Sequence, residues 1–246
     1  IGTNQLRANN IYIEADMLQL INWTFEQGDI DYTTINPVYV AIHNSSRILV
    51  QDFNMMWANR TSANNFTYGL ACEYSCDVKF VRCRGVGDGW GMTGFNENRK
   101  ITFDSCSLNR IDSHQPFIEY LRVINCDVLQ WGIYLTILGD IVIDGGSIKL
   151  TNDSVYTDKI GFITLREECG GIADGRLIMH NVALSNATST TTQKLVLHRG
   201  GTADVPPVTS PVNYQAFSSI ELSNLHGDDR VVDIAPQVIA ATNVKY

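Results

Sequence analysis

Eight side chains come into line when the chain is counted forward from three cysteines. After Cys83 runs RGVGDGWG, which holds Asp88 and Trp90. After Cys106 runs SLNRIDSHQPF, with Arg110, Asp112 and His114. After Cys126 runs DVLQWGIY, with Gln130, Trp131 and Tyr134. These residue types suit a carbohydrate. Aromatic faces pack on apolar surfaces, and Arg and Gln supply directional hydrogen bonds. Asp88 and Asp112 could work as acid and base or acid and nucleophile at a glycosidic bond. A separation of about 5 Å would favour retention and a wider one inversion. His114 could serve as general base or proton shuttle. Each has a structural alternative. Asp88-Gly89 is a turn dipeptide. Arg110, Asp112 and His114 could form a buried network. The aromatics could cover an apolar corner or a subunit contact.

The elements that would position them are repeats. VKFVRCRGV (78–86), ITFDSCSLN (101–109) and LRVINCDVL (121–129) superimpose, with their cysteines 23 and 20 residues apart. More broadly, apolar residues recur at offsets 0, 2, 5 and 7, as in Ile48, Val50, Phe53 and Met55. Copies begin at 48, 78, 101, 121, 141, 177 and 220, with Gly146 at offset 5 in one of them. Ile11, Ile13 and Leu18 read as a weaker first copy that Asp16 interrupts. Offsets 0 and 2 describe a strand with one buried face. The step from 2 to 5 changes parity, so a corner falls between them. Strand, corner, strand and a return after about 20 residues is a rung of a parallel β-helix. The expectation is an all-β solenoid of about 8–10 rungs with loop insertions. Asn109, Asn125, Asn181 and Asn224 are expected at corners, where Asn tolerates the left-handed region. Insertions are expected at 54–69, at 150–175 (which holds the strand-like GFITL) and at 186–215. A β-sandwich is the other reading, but it does not explain fixed offsets recurring seven times.

The 246 residues fit a single domain, 1–246, and the absence of Met at Ile1 suggests a piece of a longer chain. Lys and Arg total 18 against 26 acids, a net charge of −8. That balance is poor for phosphate neutralisation, so no nucleic acid is expected. It is also poor for anionic lipid, and no apolar run is long enough to insert in a membrane. The six cysteines lack zinc spacing, and no calcium-loop motif occurs, so neither metal nor cofactor is expected. Three cysteines at one repeat position read as an inward ladder of small side chains. Glu73, Glu119 and the neighbours Glu167 and Glu168 are weaker carboxylate candidates. The Asn-x-Ser/Thr sequons at Asn22, Asn44, Asn59, Asn65, Asn152 and Asn186 read as chance in so Asn- and Thr-rich a chain.

The stretch from Gly89 to Cys126 resembles a block of pectate-lyase-like β-helices in phage tailspikes, preneck appendages and capsule depolymerases. Trp90-Gly91, Thr93-Gly94, Phe103-Asp104, Cys106, Leu108, Arg110, Asp112 and His114 match it. Ile111, Ser113, Pro116-Phe117 and Ile118-Glu119 depart from it. The resemblance implies a right-handed, single-stranded coil assembled as a homotrimer. It also implies an extracellular place on the virion tail, and a bacterial surface polysaccharide or teichoic acid as the ligand that is bound and often cleaved. The residue-level expectation is Asp88 and Asp112 as a hydrolytic pair with His114 assisting. Trp90, Arg110, Gln130, Trp131 and Tyr134 would hold the glycan. A lyase, a non-catalytic glycan-binding module and a structural spacer in a fibre are the alternatives.

Overall fold

The computed structural model describes residues 4–5, 11–26, 38–56, 68–86, 91–96, 98–113, 119–136, 139–150, 161–166, 175–186, 194–199, 218–227, 233–234 and 244–245. Among them every strand pairing is parallel and no helix occurs. The chain coils through three sides per turn. One side is a nine-stranded sheet running from Ile11–Ile13 through Val38–His43, Tyr68–Glu73, Gly91–Asn96, Ile111–Ser113, Ile133–Leu135, Ile163–Arg166 and Lys194–Arg199 to Asp233–Ile234. It is called the lateral sheet below. The other two sides belong to a 16-stranded sheet. Its two stacks are fused because Tyr120–Val128 and Asp140–Leu150 run round the corner unbroken. The fold is a parallel β-helix, as the repeat predicts.

The offsets have a direct physical meaning. Ile48, Val78, Ile101, Leu121, Ile141, Leu177 and Ile220 sit on one another in register, and all are buried. Each such side chain contributes about 1.5–3 kcal/mol by leaving water. The corner is the offset-4 residue, which adopts the left-handed region in rung after rung. Asp52, Arg82, Ser105, Asn125, Gly145, Asn181 and Asn224 have φ of 52, 50, 56, 48, 72, 56 and 49°. One left-handed residue swings the chain and reverses which parity faces inward, so offset 5 is buried where offset 4 is not. Asn is at home there. Gly146 follows from close approach: a Cβ would lie 2.0 Å from the Cys126 carbonyl oxygen. Asn109 differs from the other three asparagines, since it is buried without a positive φ.

One expectation is corrected. The first copy is not Ile11 and Ile13, which lie in the lateral sheet, but Leu18, Leu20, Trp23 and Phe25. Leu20 pairs with Val50 and Phe25 with Met55, so all four offsets are filled. The wide intervals hold the third side of the coil, as the strand-like GFITL anticipates. Ile163–Arg166, inside the 150–175 interval, is a lateral strand, as is Lys194–Arg199 inside 186–215.

The interior is laddered. The Phe80 and Phe103 rings stack at 4.9 Å. Cys72, Cys76, Cys83, Cys106 and Cys126 are free thiols. The Cys106 sulfur accepts the Cys83 N–H at 3.4 Å, and the Cys126 sulfur accepts that of Cys106 at 3.3 Å. Hydrogen bonding to the Cys106 thiol, then burial, pushes the Cys83 and Cys126 thiols up. Burial pushes Cys72 up to about 12. Cys72, Cys83, Cys106 and Cys126 are all buried, out of reach of a partner, so the ladder is core. A second ladder, which the sequence did not reveal, lines the corner between the lateral sheet and the first stack. Ser45 Oγ accepts the Ala15 N–H at 2.9 Å, Ser75 Oγ accepts Ser45 N–H at 3.2 Å, and Asn98 Oδ1 accepts Ser75 N–H at 3.0 Å. These satisfy backbone donors that a buried corner would otherwise strand. Outside, ion pairs link neighbouring rungs: Arg82 grips Asp52 through two bonds of 2.8 Å, and Arg176 reaches Asp140 at 2.6 Å.

Candidate functional site

Strand alternation decides which side chains leave the lateral sheet outward. Ile111, Ile133 and Leu135 belong to the core, so Asp112 and Tyr134 emerge on the opposite face. Asp112 pairs with Tyr134 across the rungs, which puts the two side chains next to each other. Arg110, two residues before Asp112, completes the group. Its Nη2 lies 2.5 Å from Asp112 Oδ2, and its guanidinium carbon stands 4.4 Å over the centre of the Tyr134 ring. Three of the eight predicted residues are therefore brought into contact: Arg110, Asp112 and Tyr134.

The neighbourhood is enclosed. Arg110 and Asp112 are 0% exposed, Tyr134 3% and Trp131 4%. Both faces of the lateral sheet are covered here, and every residue of Ile111–Ser113 and Ile133–Leu135 is buried. Arg110, Asp112, Trp131 and Tyr134, expected on a glycan-facing surface, are enclosed in this structure. A desolvated guanidinium needs a counter-charge, and Asp112 supplies it. A cation over a ring is worth about 2 kcal/mol when water is excluded. What the group does as it stands is fix the corner between Leu108 and Ile111. Gln130 is half-buried beside it.

The cysteine ruler also slips. Leu108 pairs with Val128, but Ile111 pairs with Ile133, so the lower rung spends two more residues on this corner. Both Gln130 N–H and Trp131 N–H donate to the Asn109 carbonyl at 3.2 Å. Gly132 has φ +70°, and a Cβ there would lie 2.7 Å from the Phe162 carbonyl oxygen. Tyr134 thus faces Asp112 rather than a residue two places further on. Asp88, Trp90 and His114, with Glu167 and Glu168, lie outside the described residues, and with Asp88 goes the carboxylate separation that would distinguish retention from inversion. Glu119 pairs with Arg99 on the exterior.

A second group on the same outer face was passed over, apart from Glu73. Ile13 packs on the core and Ile42 and Cys72 are buried, so Tyr12, His43 and Glu73 point the other way. The Tyr12 ring stacks on His43 at 4.6 Å, with an interplanar angle of 24°. His43 Nδ1 lies 3.3 Å from Glu73 Oε2. Tyr12 Oη donates to Glu14 Oε1 at 3.0 Å, and Asn44 Nδ2 donates to the same oxygen at 2.9 Å. The bond from Asn44, then that from Tyr12, holds the Glu14 carboxyl below its usual range, while the bond to Glu14 raises the Tyr12 phenol. Tyr12 is 61% exposed. The signal for this group was present: His43 to Glu73 and Glu14 to Asn44 both span 30 residues, the interval between the copies at Ile48 and Val78. Among the described residues no group of ligating side chains could hold a metal ion.

No protein-family model matches the chain. A curated relative described as a capsule KL64-specific depolymerase, from Klebsiella phage P510, is 27% identical over 205 residues. The match covers 78% of this chain and 20% of that protein, so the chain spans about a fifth of the relative's length. Among solved structures, the tailspike protein gp49 from Pseudomonas phage LKA1 aligns with 94% of this chain and 52% of its own. Identity there is 12% and the TM-score 0.28, too loose a likeness to carry an argument.

Proposed function

We propose that the chain is a β-helix domain of a phage tail protein that binds and depolymerises a bacterial capsular polysaccharide. The observation that carries this reading is the similarity to a capsule depolymerase along 78% of the chain, on a coil whose rungs pair in parallel. The protein would then work outside the cell on the virion tail, as a homotrimer. Its substrate would be a capsule, an exopolysaccharide or a teichoic acid.

The proposed chemistry is glycosidic hydrolysis, with Asp88 and Asp112 as the carboxylate pair and His114 as proton shuttle. Trp90 and Gln130 would contact the sugar, and the enclosed Arg110, Trp131 and Tyr134 would shape the wall behind it. The burial of Arg110 and Asp112 supports one refinement. Asp112 acts on Arg110 as a positioning residue, and proton transfer falls to Asp88 and His114. The same burial favours a second reading, a glycan-binding module without chemistry, in which the Arg110 group only stiffens the wall.

Purified Klebsiella capsular polysaccharides incubated with the full chain separate these readings. Hydrolysis gives new reducing ends without an ultraviolet-absorbing unsaturated product, whereas a lyase gives both. Retention of polysaccharide with neither product selects the binding module. Within the hydrolytic reading, Asp88→Asn and His114→Ala abolish product while leaving the melting temperature unchanged. Wild-type protein that neither retains nor cleaves any capsule in the panel would sink the proposal.

A further inference from the structure

The outer face of the lateral sheet carries one line of residues in register from the first rung onward: Tyr12, Ala41, Ala71, Gly94, Asp112 and Tyr134. At roughly 4.8 Å per rung, about 19 Å separates Tyr12 from Asp112. Between them nothing larger than a methyl group rises from this line. In the next outward column, His43 and Glu73 stand side by side in register.

Tyr12 is built as a platform. Its ring is 61% exposed yet does not swing freely, because His43 backs it and Glu14 anchors its hydroxyl. An exposed aromatic normally exchanges rotamers; here two neighbours already restrain it, so a ligand pays less ordering entropy on contact. One apolar face and a rim of acceptors is the arrangement a sugar ring needs, since the ring has an apolar C–H face and a rim of hydroxyl donors. Glu14 and Glu73 are acceptor-only when ionised. An ionised carboxylate offers about four acceptor sites, so Glu14, which takes the bonds of Asn44 and Tyr12 on one oxygen, can accept from a ligand as well. Two carboxylates repel an anionic group, so the ring that fits is uncharged.

We propose that Tyr12, Glu14, His43 and Glu73 form a glycan subsite for a neutral sugar ring. The ring stacks on Tyr12, and its hydroxyls donate to Glu14 and Glu73. The inference rests on the glycan-binding reading and deepens it, adding a contact region well away from Arg110 and Asp112.

The test uses the full chain and oligosaccharides prepared from purified Klebsiella capsules, followed by saturation-transfer NMR and titration. Tyr12→Ala is expected to weaken binding at least tenfold. Tyr12→Phe, which keeps the ring and loses the hydroxyl, should fall much less, and Glu73→Gln by severalfold. Circular dichroism melting of each variant separates lost contact from lost fold, and Tyr12 is exposed enough that its removal should leave the melt intact. Tyr12→Ala binding as tightly as wild type overturns the subsite while leaving the glycan-binding reading standing. Wild type binding no oligosaccharide in the panel overturns both. Selective retention of oligosaccharides rich in uronic acid, with neutral ones ignored, also counts against the subsite as stated.

Discussion

Two groups on one face of the lateral sheet use nearly the same ingredients to opposite ends. Around Arg110 there is a cation, a carboxylate and an aromatic ring in contact, all enclosed. Around Tyr12 there is an aromatic ring, an imidazole and two carboxylates in contact, with Tyr12 open to water and His43 and Glu73 half-buried. Residue type does not tell them apart; burial does. A charge removed from water costs several kcal/mol, and only a fixed partner offsets it. The enclosed pair is therefore locked, and breaking it is expensive. An exposed pair is hydrated and screened, so it contributes little to stability, and its side chains are free to exchange water for a ligand.

The largest expected effect tests the enclosed side. Asp112→Asn leaves the Arg110 guanidinium without its counter-charge and should cost about 3–5 kcal/mol in a denaturant titration. The double change Arg110→Met with Asp112→Leu should recover much of that loss, because it removes both charges and keeps the volume filled. If Asp112→Asn instead keeps wild-type stability and abolishes depolymerisation, the contrast between the two groups fails. Asp112 would then stand as a catalytic residue.

Most of the coil was legible because a rung repeats the same requirement many times. Seven copies of an apolar alternation, each broken at one offset, left little room for another fold. The corner followed from parity, and Asn125, Asn181 and Asn224 pointed to its left-handed backbone. The cysteines could be read as core because they shared one position. The first copy was misread because Ile11 and Ile13 alternate as well as Leu18 and Leu20 do. Alternation reports a buried face without saying which side of the coil it belongs to. The site was less legible for two reasons. A corner can take up extra residues without disturbing either flanking strand, as Gln130 to Gly132 do, so counting across it loses register. And the outer face of a sheet can be covered, which the alternating pattern of Ile111 and Ile133 does not encode. Tyr12 and His43 were missed because their partners are 30 residues away, beyond the reach of a local motif.

The exterior ion pairs give a smaller, pH-dependent comparison. Asp140 has its carboxyl held below the usual range, first by the Arg176 side-chain bond. A carboxylate depressed in the folded state adds stability that is complete above its unfolded value, near 3.8. That stability drains away as pH falls through the lower folded value. Arg176 is 57% exposed and Asp140 25%, so solvent screening keeps the pair's contribution small. Asp140→Asn should be slightly less stable than wild type at neutral pH, and the two melting curves should converge in strong acid. A difference that persists unchanged in acid would mean the carboxylate matters for something other than its charge.

The smallest stability effect should belong to Tyr12, and that is what makes it informative. Tyr12→Ala removes an exposed ring that touches His43 and Glu14 but fills no part of the core, so its melt should stay within about 0.5 kcal/mol of wild type. Asp112→Asn on the same face, at a position in line with Tyr12, should lose several times that. If the two substitutions destabilise alike, the Tyr12 group is scaffold too, and exposure has misled. If Tyr12→Ala is silent in the melt and weak in glycan retention, the outer face divides as burial says: one end holds the wall in shape and the other meets the ligand.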